Sequence, residues 1–105
     1  MKHTGIEFLQ ENAAQATRLL KSMSNANRLL ILCTLIDSPG TSAGSLSKLT
    51  GLSPSATSQH LARMKEEDLI ECSADEQRRN YFIKNESIRK IVATLKDIFC
   101  PEDLK

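Results

Sequence analysis

The chain has 105 residues, 40% of them hydrophobic and 26% charged, with a formal net charge of +1. That length fits one domain, 1–105, with little room for a deep catalytic pocket, and no repeat or long linker separates a second core. No apolar run approaches the ~20 residues that cross a bilayer and no signal-peptide pattern opens the chain, so a cytoplasmic protein without membrane contact is expected.

Residues 5–23 carry Ile6, Leu9, Ala13, Ala16, Leu20 and Met23 at spacings of three and four, the seam of an amphipathic helix. The two alanines in its middle let another helix come close. Ser24 or Asn25 can cap a second helix over 26–37, apolar nearly all round through Leu29, Leu30, Ile31, Leu32, Cys33, Leu35 and Ile36, and therefore a central core element. Ser38-Pro39-Gly40-Thr41 breaks it, and 42–50 forms a short third helix that ends at Gly51.

Ser53 can cap a fourth helix with Pro54 in its first position, so a new helix starts directly after a glycine turn. Two short helices joined in this way are a helix-turn-helix. Winding 53–67 at 100° per residue puts Thr57, His60, Leu61 and Met64 on one face and Ser55, Ser58, Gln59, Ala62, Arg63 and Glu66 on the other. The second face carries short hydrogen-bonding side chains and one arginine, which suits base edges and phosphates of double-stranded DNA. His60 sits at the edge of the buried face, either packed as a hydrogen-bonded core residue or adding to the DNA contacts with Ser53.

Residues 70–74 and 80–83 read as two strands around a charged turn that bears Arg78 and Arg79, a β-hairpin whose tip can follow the DNA backbone. Helix-turn-helix plus hairpin makes a winged helix, mainly α with a small β-hairpin. The basic residues Arg63, Lys65, Arg78 and Arg79 are interleaved with acids, so only modest non-specific DNA affinity is expected. Asn85 can cap a last helix, 86–100, with a broad stripe of Ile88, Ile91, Val92, Leu95, Ile98 and Phe99, ended by Pro101. The first and last helices flank the core with apolar seams. Leu9, Ala13, Ala16, Leu20, Ile91, Leu95 and Ile98 are the expected homodimer interface; the alternative is that the two seams pair within one chain.

The chain resembles, over essentially its full length, the ArsR/SmtB family of small winged-helix bacterial repressors. The resemblance rests on residues 20–32, LKSMSNANRLLIL, and 52–61, LSPSATSQHL. Within that family it is most similar to the branch that senses reactive sulfur species, through Ile31-Leu32-Cys33 in the second helix and Ile98-Phe99-Cys100 at the end of the last. The resemblance implies a homodimeric repressor that occupies operator DNA when reduced and is released when Cys33 and Cys100 are bridged by sulfur from an inorganic or organic persulfide or polysulfide.

Metal-sensing branches of the family use thiols on the third helix or Asp and His along the last. Here the third helix has no cysteine, and 85–100 has no histidine and only Glu86 and Asp97 as acids, so neither a metal nor another cofactor is expected. Cys33 alone would read as a small buried hydrophobe. Cys100, at a helix end, is open to reaction; Lys96 one turn earlier favours its thiolate while Asp97 and the negative helix end oppose it. A plain disulfide needs Cα atoms roughly 4.4–6.8 Å apart, and each inserted sulfur adds about 2 Å of reach, so thiols held slightly too far apart would select persulfide over peroxide. Cys72, in the first wing strand, departs from the two-cysteine pattern and reads as a strand residue, the alternative being a third reactive thiol. No Cys-x-x-Cys or βαβ framework supports a thiol enzyme; the remaining alternatives are a different signal (oxidant, metal or none) or a winged helix that binds only proteins.

Overall fold

A computed structural model describes residues 5–75 and 77–100. Pro101, read as the end of the last helix, lies outside the described residues. The elements run α1 (Gly5–Met23), α2 (Ala26–Asp37), β1 (Thr41–Ser42), α3 (Ala43–Thr50), α4 (Pro54–Glu66), β2 (Ile70–Asp75), β3 (Arg78–Ile83) and α5 (Glu86–Phe99). This is the expected winged helix with one addition. The hairpin is the greater part of a three-stranded antiparallel sheet, in the order β1-β3-β2.

Local chemistry sets the helix boundaries. Asn25 Oδ1 accepts the N–H groups of Asn27 and Arg28 and so, rather than Ser24, starts α2. Ser42 caps α3 and Ser53 caps α4, with Pro54 at the first position, where its missing N–H costs nothing. Gly51 closes α3 in the left-handed region at φ 75°, and Asn85 Oδ1 caps α5 through Ile88 N–H.

The turn after α2 explains β1. Gly40 takes φ 87°, and a Cβ there would meet the Phe82 ring at 3.3 Å, so the backbone passes against β3 where Gly40 N–H donates to Tyr81 O. Thr41 and Ser42 then pair with Tyr81 and Asn80. Two residues are too few to show an alternating pattern. β2 and β3 also run further than expected, with Asp75 opposite Arg78, so both arginines belong to the base of a tighter wing turn.

The core forms where α2, α3, α4, the sheet and α5 converge. Ile31, Leu32, Leu35, Leu46, Leu61, Met64, Leu69, Ile70, Ile88 and Val92 are all fully buried. α2 is its centre, although Leu30 is 42% exposed and so departs from the all-round burial expected. Replacing Leu32 with alanine should cost about 2–5 kcal/mol, since a fully enclosed site cannot collapse around the hole. Urea unfolding checks this, as a midpoint shift with an unchanged slope.

α1 stands apart from this core. Only Met23 is buried along it and Leu19 half-buried, while Ile6, Leu9, Ala13, Ala16 and Leu20 are exposed. The seams of α1 and α5 therefore do not pair within the chain. Among the described residues, no helix is long and apolar enough to cross a membrane.

Candidate nucleic-acid interface and cysteine pair

The turn between α3 and α4 is fixed by side chains on α3. Ser47 Oγ donates to Leu52 O at 2.7 Å, and Thr50 Oγ1 accepts Leu52 N–H at 3.2 Å. These bonds set the angle at which α4 leaves. α4 then buries Thr57, Leu61 and Met64 and exposes Ser53, Ser55, Ser58, Gln59, Ala62, Arg63 and Glu66, the division that the helical winding predicts. The Thr57 hydroxyl is buried without a hydrogen-bond partner among the described residues, although Thr57 N–H donates to Ser53 O in the usual way.

His60 corrects one expectation. It is half-buried and makes no hydrogen bond with any described residue, so it is no bonded core histidine; it lines an open furrow beside Gln59 and Arg63. Arg28 lies across the same furrow, its side chain 12% exposed, donating to Ser22 O at 2.9 Å and to Glu67 Oε1 at 3.4 Å. Glu67 is the residue at which α4 ends, so this pair ties the start of α2 to the end of the exposed helix. Arg78 and Arg79 are exposed, and a second groove lies between them and Ser42–Gly44 at the start of α3.

No disulfide links Cys33, Cys72 and Cys100. Cys33 is half-buried on α2 against the core, and Cys100 is exposed at the C-cap of α5, its N–H donated to Lys96 O at 2.7 Å. Lys96 also holds an ion pair across the fold. Its Nζ lies 2.6 Å from Asp37 Oδ2, joining the last turn of α5 to the last turn of α2. Cys33 is one helical turn from Asp37 and Cys100 one turn from Lys96, so the ion pair couples the two elements that carry the thiols. Cys72 is half-buried opposite Tyr81 in the sheet. Burial, with Cys72 alongside, pushes the Tyr81 phenol above its ordinary 10.0, and Arg79 pulls it the other way.

Sequence reading missed several neighbours of these sites. The pairs Arg28–Glu67 and Asp37–Lys96 join residues far apart in the chain, and no local pattern signals them. Exposed Phe8 lies off the α1 seam, and Phe99, within the α5 stripe, is 76% exposed. Among the described residues, no group of three or more His, Cys, Asp or Glu side chains is arranged to hold a metal.

The profile of the bacterial regulatory protein arsR family matches residues 25–71, from the α2 cap to the start of β2. The HTH-type transcriptional regulator YgaV of Escherichia coli K12 is 59% identical over 98 residues, covering 93% of this chain and 99% of that protein. The chain belongs to the ArsR family. Among solved family structures, reduced HlyU from Vibrio cholerae superposes with a TM-score of 0.84 at 35% identity, covering 90% of this chain and 98% of that one. The transcriptional repressor BigR from Xylella fastidiosa gives a TM-score of 0.81 at 27% identity, over 92% and 98% of the two chains. The fold is thus the winged helix of ArsR-family DNA-binding transcriptional regulators.

Proposed function

We propose that this ArsR-family regulator is a cytoplasmic, homodimeric repressor that leaves its operator when Cys33 and Cys100 are bridged by sulfur. The observation that carries the DNA half is α4 itself: its apolar side is fixed in the core while Ser55, Ser58, Gln59 and Arg63 remain exposed among the described residues. In this reading residues 1–105 act as one DNA-binding domain. Ser53, Ser55, Ser58, Gln59, His60 and Arg63 meet the major groove or its flanking phosphates, and Arg78 and Arg79 meet the backbone from the wing.

The dimer half rests on the uncovered seam of α1. Leu9 and Leu20 are 64% and 55% exposed and Ile98 is 61% exposed, a run of apolar surface that a monomer gains by covering. A twofold dimer would use Leu9, Ala13, Ala16 and Leu20 of α1 with Ile91, Leu95 and Ile98 of α5, and would set two copies of α4 about one DNA turn apart, ~34–36 Å.

For the signal, the exposed Cys100 thiolate is the first nucleophile and takes a sulfane sulfur from a polysulfide, becoming a persulfide. Cys33 accepts a second sulfane sulfur. The Cys100 persulfide then attacks the inner sulfur of the Cys33 persulfide, expelling hydrosulfide and leaving a trisulfide. Two thiols and two sulfane sulfurs thus give one trisulfide and one hydrogen sulfide; the thiols are oxidised and the expelled sulfur is reduced. The bridge ties α5 to α2, and the Arg28–Glu67 pair carries a shift of α2 to the end of α4. Repression is in keeping with BigR, a transcriptional repressor of the same fold, and a thiol signal with HlyU of Vibrio cholerae, whose solved form is the reduced one.

The test begins with duplexes selected from a random pool by the reduced protein. Gln59→Ala or Arg63→Ala should weaken the selected site by about 1–3 kcal/mol and relax its sequence preference. Arg78→Ala or Arg79→Ala should weaken all duplexes alike and flatten the salt dependence by about 1 for each phosphate left unneutralised. A pool that yields no enriched sequence, or four variants with unchanged affinity, would remove the assignment.

A further inference from the structure

The exposed face of α4 continues beyond α4. Gln59, His60 and Arg63 form one wall of an open furrow of about 950 Å³, and the last turns of α1 with the start of α2 form the other. Arg18 and Lys21 enter it from α1 and Arg28 from α2, so with Arg63 four cations face two carboxylates, Glu66 and Glu67. That local excess exceeds the formal net charge of +1 carried by the whole chain.

Pairing within the furrow sharpens the imbalance. Arg28 is taken up by Ser22 O and Glu67, which accounts for one carboxylate. Arg18, Lys21 and Arg63 are exposed and make no ion pair with any described residue. Exposed cations spread over two elements along an open trough fit a row of anions better than a single small one.

We infer that this furrow grips the DNA backbone beside the bases that α4 reads, with Arg18 and Lys21 of α1 as phosphate contacts. The inference rests on α4 being the recognition helix, and it extends the interface to a helix that sequence reading gave to dimerisation alone. The grip on DNA and the packing of the dimer then share one rigid element, so a shift of α1 alters both.

The experiment is fluorescence anisotropy with the full chain and a labelled duplex of arbitrary sequence, about three helical turns long, across a salt series. The double variant Arg18→Gln/Lys21→Gln should flatten the slope of log affinity against log salt by about 1 for each phosphate it no longer neutralises. Glu66→Gln should strengthen binding. Both altered basic residues are exposed, so the fold is not at stake. An unchanged slope for the double variant, with a flatter one for Arg63→Gln, would overturn this inference and leave the recognition helix standing. So would equal flattening by Lys90→Gln, an exposed α5 residue outside the furrow. Failure of the unaltered protein to bind any duplex would overturn both readings together.

Discussion

Ala16→Glu should give a chain that folds normally, sediments as a monomer at micromolar concentration and no longer holds operator DNA. Ala16 is exposed in a single chain, so the substitution touches none of the core that α2 organises. In a twofold interface the new carboxylate is buried twice without a counter-ion, and breaking or stranding a buried charge costs about 3–5 kcal/mol. At 1.4 kcal/mol per tenfold, each of the two buried carboxylates weakens association by about two to four orders of magnitude. Each subunit must then bind its half-site alone and forfeits the 10²–10⁴ that the second, intramolecular contact supplies. Leu95→Glu should act in the same direction, with some loss of fold stability because Leu95 is already half-buried in its own chain. A stable unaltered monomer in the same sedimentation experiment would end the dimer proposal.

The second large effect concerns the thiols. Cys33→Ser and Cys100→Ser should each retain operator affinity, since neither residue lies on the exposed face of α4 or in the wing, yet lose the response to polysulfide entirely. Cys72→Ser should keep both binding and response. A tenfold release needs only about 1.4 kcal/mol of coupling between the bridge and DNA, so the all-or-none difference between variants is easily read by anisotropy. Cys33 packs on the core, so its serine variant also needs a urea titration to show that it remains folded. Loss of the response in Cys72→Ser alone would reassign the sensing pair.

What the sequence made legible was whatever is decided within one turn of helix or one step of strand. Asn25, Ser53 and Asn85 each cap the helix that follows them, and Gly51 takes the left-handed turn that its position demands. The two faces of α4 also follow from spacing alone, because Thr57, Leu61 and Met64 are all buried. β1 was not legible: two residues show no period, and their pairing with β3 depends on Gly40 passing against Phe82. The ion pair of Lys96 was hidden for a related reason. Its neighbour in the chain is Cys100, but its partner in space is Asp37, and sequence offers no way to weigh a contact across the fold. The furrow cations Arg18, Lys21 and Arg28 were likewise hidden, since α1 read as a helix with a seam and a wet side, and only the fold turns part of that wet side toward α4.

The most direct measurement is a single sample taken through two readouts: reduced protein on its selected duplex is treated with an inorganic polysulfide, and intact mass and anisotropy are followed together. The expected result is a chain that gains sulfur while losing two hydrogens, a link between the peptides bearing Cys33 and Cys100, and an affinity at least about tenfold weaker once the link has formed. A linked chain that holds DNA as tightly as before, or release of DNA by a protein lacking both of these thiols, would contradict sulfur-bridge sensing by this pair.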